Sequence, residues 1–276
     1  MSISAADVNK LRQMTGAGMM DCKKALTEAN GDFEAAIDNL RKKGQKVAAS
    51  RADRETTEGI VMIKTNDSNT LAVLVALGCE TDFVAKNDDF RKFADGIAQA
   101  AFDKKPADTE ALMALSYDGT TVGEKLIEQT GKIGEKISVI SYDVMEADRV
   151  ATYIHSNAKV GVVVGFNGVN GTDLTETGKD IALQIASMKP VAVDKDGVDA
   201  SVVEREIEIG KEQARAEGKP EAMLEKIALG KLNKFYQDNT LLNQSFVKDS
   251  SLSIRQLLEK SGKGIVVKGF KRVAIG

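Results

Sequence analysis

Leu71-Ala-Val-Leu-Val-Ala-Leu-Gly78 runs directly into Cys79-Glu-Thr-Asp-Phe-Val-Ala-Lys-Asn87 and then into Asp89-Phe-Arg-Lys-Phe-Ala94. The first stretch is an unbroken apolar run of strand length, as expected of a buried strand. The last carries helical periodicity. Phe83 sits at the turn between them, next to Asp82 and among polar residues. A ring so placed cannot easily bury itself in its own core. It either closes a local cluster or waits for a partner's pocket.

The same order of elements recurs further on. Val160-Gly-Val-Val-Val-Gly-Phe-Asn167 leads to Asp180-Ile-Ala-Leu-Gln-Ile-Ala-Ser-Met-Lys-Pro190, as Leu71–Gly78 leads to Gly96-Ile-Ala-Gln-Ala-Ala-Phe-Asp-Lys-Lys-Pro106. Strands at residues 58–64 and 149–155 precede these runs, each joined to the next by a turn rich in Gly, Asn, Asp and Ser. Each half therefore reads as a hairpin followed by a helix, an α+β unit that needs one face of its sheet covered. Aligned on strands and helices, the first connection is about five residues longer by this spacing, and the surplus is expected across Thr81–Asn87. A repeat that only builds a fold needs no such surplus.

Residues 1–44 predict a three-helix N-terminal domain. Ser4 caps a helix with apolar positions Val8, Leu11 and Met14, which Gly16 and Gly18 end. The second runs from Met19 to Ala29 and stops at Asn30-Gly31. Asp32 caps a third, carrying Phe33, Ala36, Ile37 and Leu40, with Gly44 beyond its last turn. Met19 and Met20 are adjacent, so both cannot face inward. Either one is core and the other incidental, or the two form an adaptable apolar contact surface. Residues 45–58 are charge-rich without apolar period and read as a linker, mobile or partly helical. The core then divides into residues 59–143 and a second subdomain of 144–199 with 238–276. Short helices are expected at 109–115 and 121–129, and a strand at 136–143. Residues 200–237 form an antiparallel helical hairpin, with Val203, Ile207 and Ala214 on one helix and Leu224, Ile227 and Phe235 on the other. Its sparse apolar seam and alternating charges favour a protruding coiled coil over a pair packed on the sheet. It is also a candidate dimerisation element.

Composition narrows the function. Thirty-eight basic residues against 41 acidic ones leave no charge footprint for direct nucleic-acid or membrane binding. The longest apolar runs are strand-length, and the opening residues lack a signal-peptide layout. Cys22 and Cys79 lie far apart, without disulfide or metal-site spacing. These features predict a reduced, cytoplasmic protein with no metal and no cofactor. Catalysis finds no motif either. His155, the single histidine, lies beside Tyr153 with no nucleophile placed near it, and the glycines around Gly178 miss phosphate-loop spacing. No catalytic residue is assigned, and an enzyme is not expected.

Three segments resemble a known family. Leu11-Arg-Gln-Met-Thr-Gly-Ala-Gly-Met19-Met20-Asp-Cys-Lys23-Lys-Ala-Leu26 closely resembles the N-terminal signature of the bacterial translation elongation factor Ts family. Cys79–Lys86 is similar to its second signature, and Lys132-Ile-Gly-Glu-Lys-Ile137 to a further family segment. The likeness covers nearly the whole chain, in order. Ala76-Leu77-Gly78 departs from it, since the family usually has Glu, an aliphatic residue and Asn there. The chain ends shortly after Phe270-Lys-Arg-Val, and contacts made through a C-terminal helical module of some relatives are not carried over.

The resemblance implies a guanine-nucleotide exchange factor that binds elongation factor Tu in its GDP-bound and nucleotide-free states. It implies a ubiquitin-associated-like head touching the partner's nucleotide domain, where Leu11, Arg12, Met19, Met20 and Lys23 match. Thr81, Asp82, Phe83 and Val84 match the element that wedges near the partner's magnesium site, with Phe83 filling a pocket between helices. His155 and Val247 fall in segments resembling contacts to the partner's other domains, although Lys248 departs from a commonly apolar position. The competing class is a non-exchanging adaptor, in which the same head is joined to a scaffold.

Overall fold

A computed structural model describes residues 3–276. Met1 and Ser2, where the reading for a targeting signal begins, lie outside them. The chain is a mixed α+β protein of helices and small sheets.

The head opens with α1 (Ala5–Thr15). Ser4 Oγ accepts from the Asp7 amide at 3.1 Å, and the Asp7 carboxylate takes the Ser4 amide at 3.2 Å. This reciprocal cap satisfies two amides that the helix cannot. Gly16 ends α1 in the left-handed region. α2 (Met19–Glu28) follows and stops at Asn30 and Gly31, both at positive φ. α3 (Phe33–Ser50) starts at Asp32, whose carboxylate accepts from the Ala35 amide at 3.1 Å. Val8, Leu11, Cys22, Ala25, Leu26 and Ala36 form the core, with Phe33, Ile37 and Leu40 at its edge.

Two expectations fail here. Met14 is 56% exposed. Thr15 occupies the neighbouring position instead, its hydroxyl on the Leu11 carbonyl at 2.8 Å and 3.9 Å from Cys22 Sγ. The third helix also does not end before Gly44. It runs six residues further, through the first part of the expected linker, and Gly44 is buried inside it. Gly44 meets Gly131 of α7 (Val122–Ile133), where a Cβ on Gly131 would fall onto the Gly44 Cα. The crossing requires two bare backbones. Tertiary packing thereby outweighs the roughly 1 kcal/mol by which glycine disfavours a helix interior.

The chain divides into two compact units. One comprises the head and the chain that follows it as far as Lys64, Val73–Asp143 and the last three residues; the other comprises Thr65–Ala72 and Val144–Val273. The first unit carries most of a three-stranded sheet ordered β1 (Glu58–Thr65), β2 (Leu71–Cys79) and β5 (Ser138–Glu146). Every residue of β2 from Ala72 to Cys79 is buried, which accounts for its unbroken apolar run. A one-turn helix α4 (Asp82–Ala85), then α5 (Asp88–Lys104), α6 (Thr109–Ala114) and the short pair β3 (Ser116–Tyr117) and β4 (Thr120–Thr121) lie between β2 and α7.

In the second unit, β6 (Arg149–Ile154) pairs antiparallel with β7 (Val160–Asn167), from Arg149 opposite Phe166 to Ile154 opposite Gly161. β10 (Val266–Ala274) flanks β7 on its other side. Val162, Val164 and Phe166 share a core with Ile181 and Ile185 of α8 (Thr175–Met188) and with Ile254 and Leu258 of α11 (Ile254–Ser261). The connection from β2 to α5 is eight residues, 80–87, against seven, 168–174, from β7 to α8. The surplus expected across Thr81–Asn87 therefore lies mostly elsewhere, in α5, with 17 residues against 14 in α8. What distinguishes the first connection is its conformation.

The helical hairpin consists of α9 (Ala200–Ala216) and α10 (Glu221–Asn239), turned at Gly218. Its buried seam is Gly210 and Ala214 against Leu224, Ala228 and Leu232. Ala214 and Leu224 were expected there. Val203, Ile207, Ile227 and Phe235 are only partly buried, because the small residues draw the helices together along a different line. α9 packs on α10, and α10 reaches the short turn Leu241–Asn243. Replacing residues 203–234 by a short Gly-rich turn should therefore leave the remainder folded, its melting temperature within about 4 °C, the equivalent of roughly 1 kcal/mol. Calorimetry tests this; a loss several times larger would mean the hairpin supports the core. Two short strands, β8 (Ser245–Phe246) and β9 (Asp249–Ser253), precede α11.

Candidate functional site

The turn after β2 is held at each of its first residues. Cys79 Sγ donates to the Thr81 carbonyl at 3.2 Å. Burial, then the nearby Glu135 and Glu58 carboxylates, push its thiol up to about 12, so it supplies no thiolate near neutral pH. Burial alone would raise the Glu80 carboxyl, but it accepts the Lys136 amide at 2.6 Å and the Arg51 guanidinium at 2.8 Å, and it ends below the usual range. Thr81 donates its amide and its hydroxyl to the two oxygens of Glu135, at 3.0 and 2.6 Å. The same hydroxyl oxygen accepts from the Val84 amide at 3.5 Å and so caps α4.

The far end of α4 is tied as well. Arg91 Nε donates to the Ala85 carbonyl at 3.3 Å, and Asn87 caps α5 through the Asp89 amide at 2.8 Å. Lys86 donates to Asp82 at 2.6 Å, and that hydrogen bond holds the Asp82 carboxyl below its ordinary value. On this anchored turn Phe83 is 83% exposed, while Ala85 is buried and Val84 half-buried. Phe83 closes no local cluster, which removes that reading. The departure at Gly78 also has a physical cause. A Cβ there would collide with the Thr56 side chain and with Ile140 Cδ1, so these two side chains occupy the space beside the strand.

Arg12, Met19, Met20 and Lys23 are exposed on the head, with Met19 at 54% and Met20 at 75%. Neither methionine is a core residue. Leu11 is fully buried in the head's core, so it presents no surface of its own and supports the residues that do. Arg12, Gly18 and Met19 line a cleft of about 410 Å³ together with Val84, Asn87 and Phe90, so the two signature segments meet at one concavity. Lys132 lines it too, its side chain lying over Gly16.

His155 and Val247 belong to the second unit. His155 follows the end of β6, exposed, with Nδ1 3.0 Å from the Tyr153 hydroxyl. Val247 is half-exposed at the turn between β8 and β9, its amide held at 2.9 Å by the buried side chain of Gln184. Sequence reasoning assigned no role to Arg51, Glu80, Glu135 or Lys136, which fix the turn. Glu135 and Lys136 fall in Lys132–Ile137 and Glu80 in Cys79–Lys86, segments marked in the sequence by their family resemblance, which gave these residues no role.

An α+β chain that holds an aromatic ring out in solvent beside a methionine-edged cleft has the surface of a protein-binding factor. The family described as Elongation factor TS matches residues 80–276. The Elongation factor Ts of Cytophaga hutchinsonii is 61% identical over 275 residues, covering 99% of each chain. That of Amoebophilus asiaticus is 55% identical over 276 residues, covering both chains completely. That of Flavobacterium psychrophilum is 50% identical over 277 residues, covering 100% of this chain and 99% of its own. The chain belongs to the elongation factor Ts family.

Proposed function

We propose that this chain is a guanine-nucleotide exchange factor for elongation factor Tu and acts in the cytoplasm, changing a binding equilibrium and no covalent bond. The observation that carries this reading is Phe83, exposed on an anchored turn beside a cleft that the head's signature also lines. The head acts as a ubiquitin-associated-like module whose Arg12, Met19, Met20 and Lys23 grip the partner's nucleotide domain. Thr81–Val84 is the wedge. Phe83 enters a pocket between partner helices and shifts the residues that support the partner's magnesium ion. That ion bridges the phosphates and is the dominant local charge, so disturbing its support weakens nucleotide binding. The coupling is reciprocal: nucleotide weakens the grip of this chain by the same factor. The two hairpin-and-helix halves act as a pseudo-repeated core, with His155 and Val247 reaching the partner's other domains.

The test is stopped-flow release of fluorescent GDP from elongation factor Tu, with and without this protein. Acceleration that saturates with protein concentration is expected. Binding without faster release would overturn the exchange reading and leave an adaptor built on the same head.

A further inference from the structure

We infer that Glu135 is a positioning residue that sets the direction of Phe83, an inference that rests on the wedge reading above. α4 has four residues, too few to hold a helix by itself. Its first turn is fixed from outside: both oxygens of Glu135 bind Thr81, the capping residue two places before Phe83. The next residue, Lys136, donates its amide to Glu80 at 2.6 Å, so two consecutive residues grip two consecutive residues. Lys136 also donates its ammonium to the Ala52 and Arg54 carbonyls, at 2.6 and 2.9 Å, which ties the grip to the chain leaving α3. An exposed ring on an untethered turn would sample many directions, and docking would have to order it. The carboxylate carries out that ordering in advance, through charge-assisted bonds.

Glu135→Ala removes both acceptors. Glu135→Gln keeps one carbonyl oxygen and turns the other acceptor into a donor, so it should be intermediate. The expected result for Glu135→Ala is GDP release at saturating protein slowed roughly 5- to 30-fold, the loss of about one charge-assisted hydrogen bond. The concentration for half-saturation should change much less, because the head's contacts persist. In a Phe83→Ala background the same substitution should add less than about two-fold, since the two act as one unit. Amide hydrogen exchange over residues 81–86 of the free protein should quicken, with the melting temperature nearly unchanged.

Unchanged exchange over residues 81–86 in Glu135→Ala would overturn the clamp whatever the protein's activity. Quickened exchange with a full, independent loss in the Phe83→Ala background would overturn the role in aiming Phe83. A wild-type chain that fails to speed GDP release is a different result: it removes the wedge reading on which the inference depends, and with it the assigned purpose.

Discussion

Phe83→Ala should slow GDP release by elongation factor Tu or weaken its binding by roughly 30- to 1000-fold in combination, corresponding to about 2–4 kcal/mol. The ring is 83% exposed in the free protein, so its removal opens no cavity. The fold should be untouched and the whole effect should appear in the complex. Part belongs to affinity and part to release at saturation, because only contacts that differ between nucleotide-bound and nucleotide-free partner drive exchange. At the low end of the range, Phe83 would share the task with the head. Asp82 adds a charge effect. In the free protein its carboxylate is paired with Lys86 at 2.6 Å, so Asp82→Asn leaves an unbalanced ammonium on the wedge. Release measured across magnesium concentrations should shift more for Asp82→Asn than its binding does. Unchanged release at saturation for both variants would abolish the wedge and leave exchange driven from the head.

Met19→Ala with Met20→Ala should weaken binding to elongation factor Tu by roughly 10- to 100-fold, as the pair together is worth about 1.4–2.8 kcal/mol when truncated. The inward positions of α2 are Cys22, Ala25 and Leu26, all buried without either methionine. Met19 lies over the cleft, and Met20 points into solvent. Far-ultraviolet dichroism should therefore be unchanged, and titration by fluorescence anisotropy reads the loss. A variant that binds normally would remove the head from the interface. One that unfolds would return the methionines to the core.

Local chemistry made much of the architecture legible beforehand. Caps at Ser4 and Asp32, left-handed stops at Gly16 and Gly31, and the apolar run Ala72–Cys79 each act within a few residues. Such signals need no tertiary context. The hairpin shows where they stop sufficing. Heptad-like spacing proposed Val203 and Ile207 for its seam, but Gly210 and Ala228 let the helices approach closely and moved the seam onto small residues. The length argument for the wedge failed for a related reason: residues are gained within α5, and a count between aligned motifs cannot say which element absorbs them.

By itself the sequence determined the class of fold, the three head helices and the segment on which Phe83 stands, because each is written in local pattern and turn chemistry. Tertiary structure alone decided three things: that α3 continues through Gly44 to meet Gly131, that Met14 is left exposed while Leu11 is fully buried, and that Glu135 holds Thr81 from 54 residues away. Each depends on which backbone approaches which, and close approach between distant segments leaves no periodic trace along the chain.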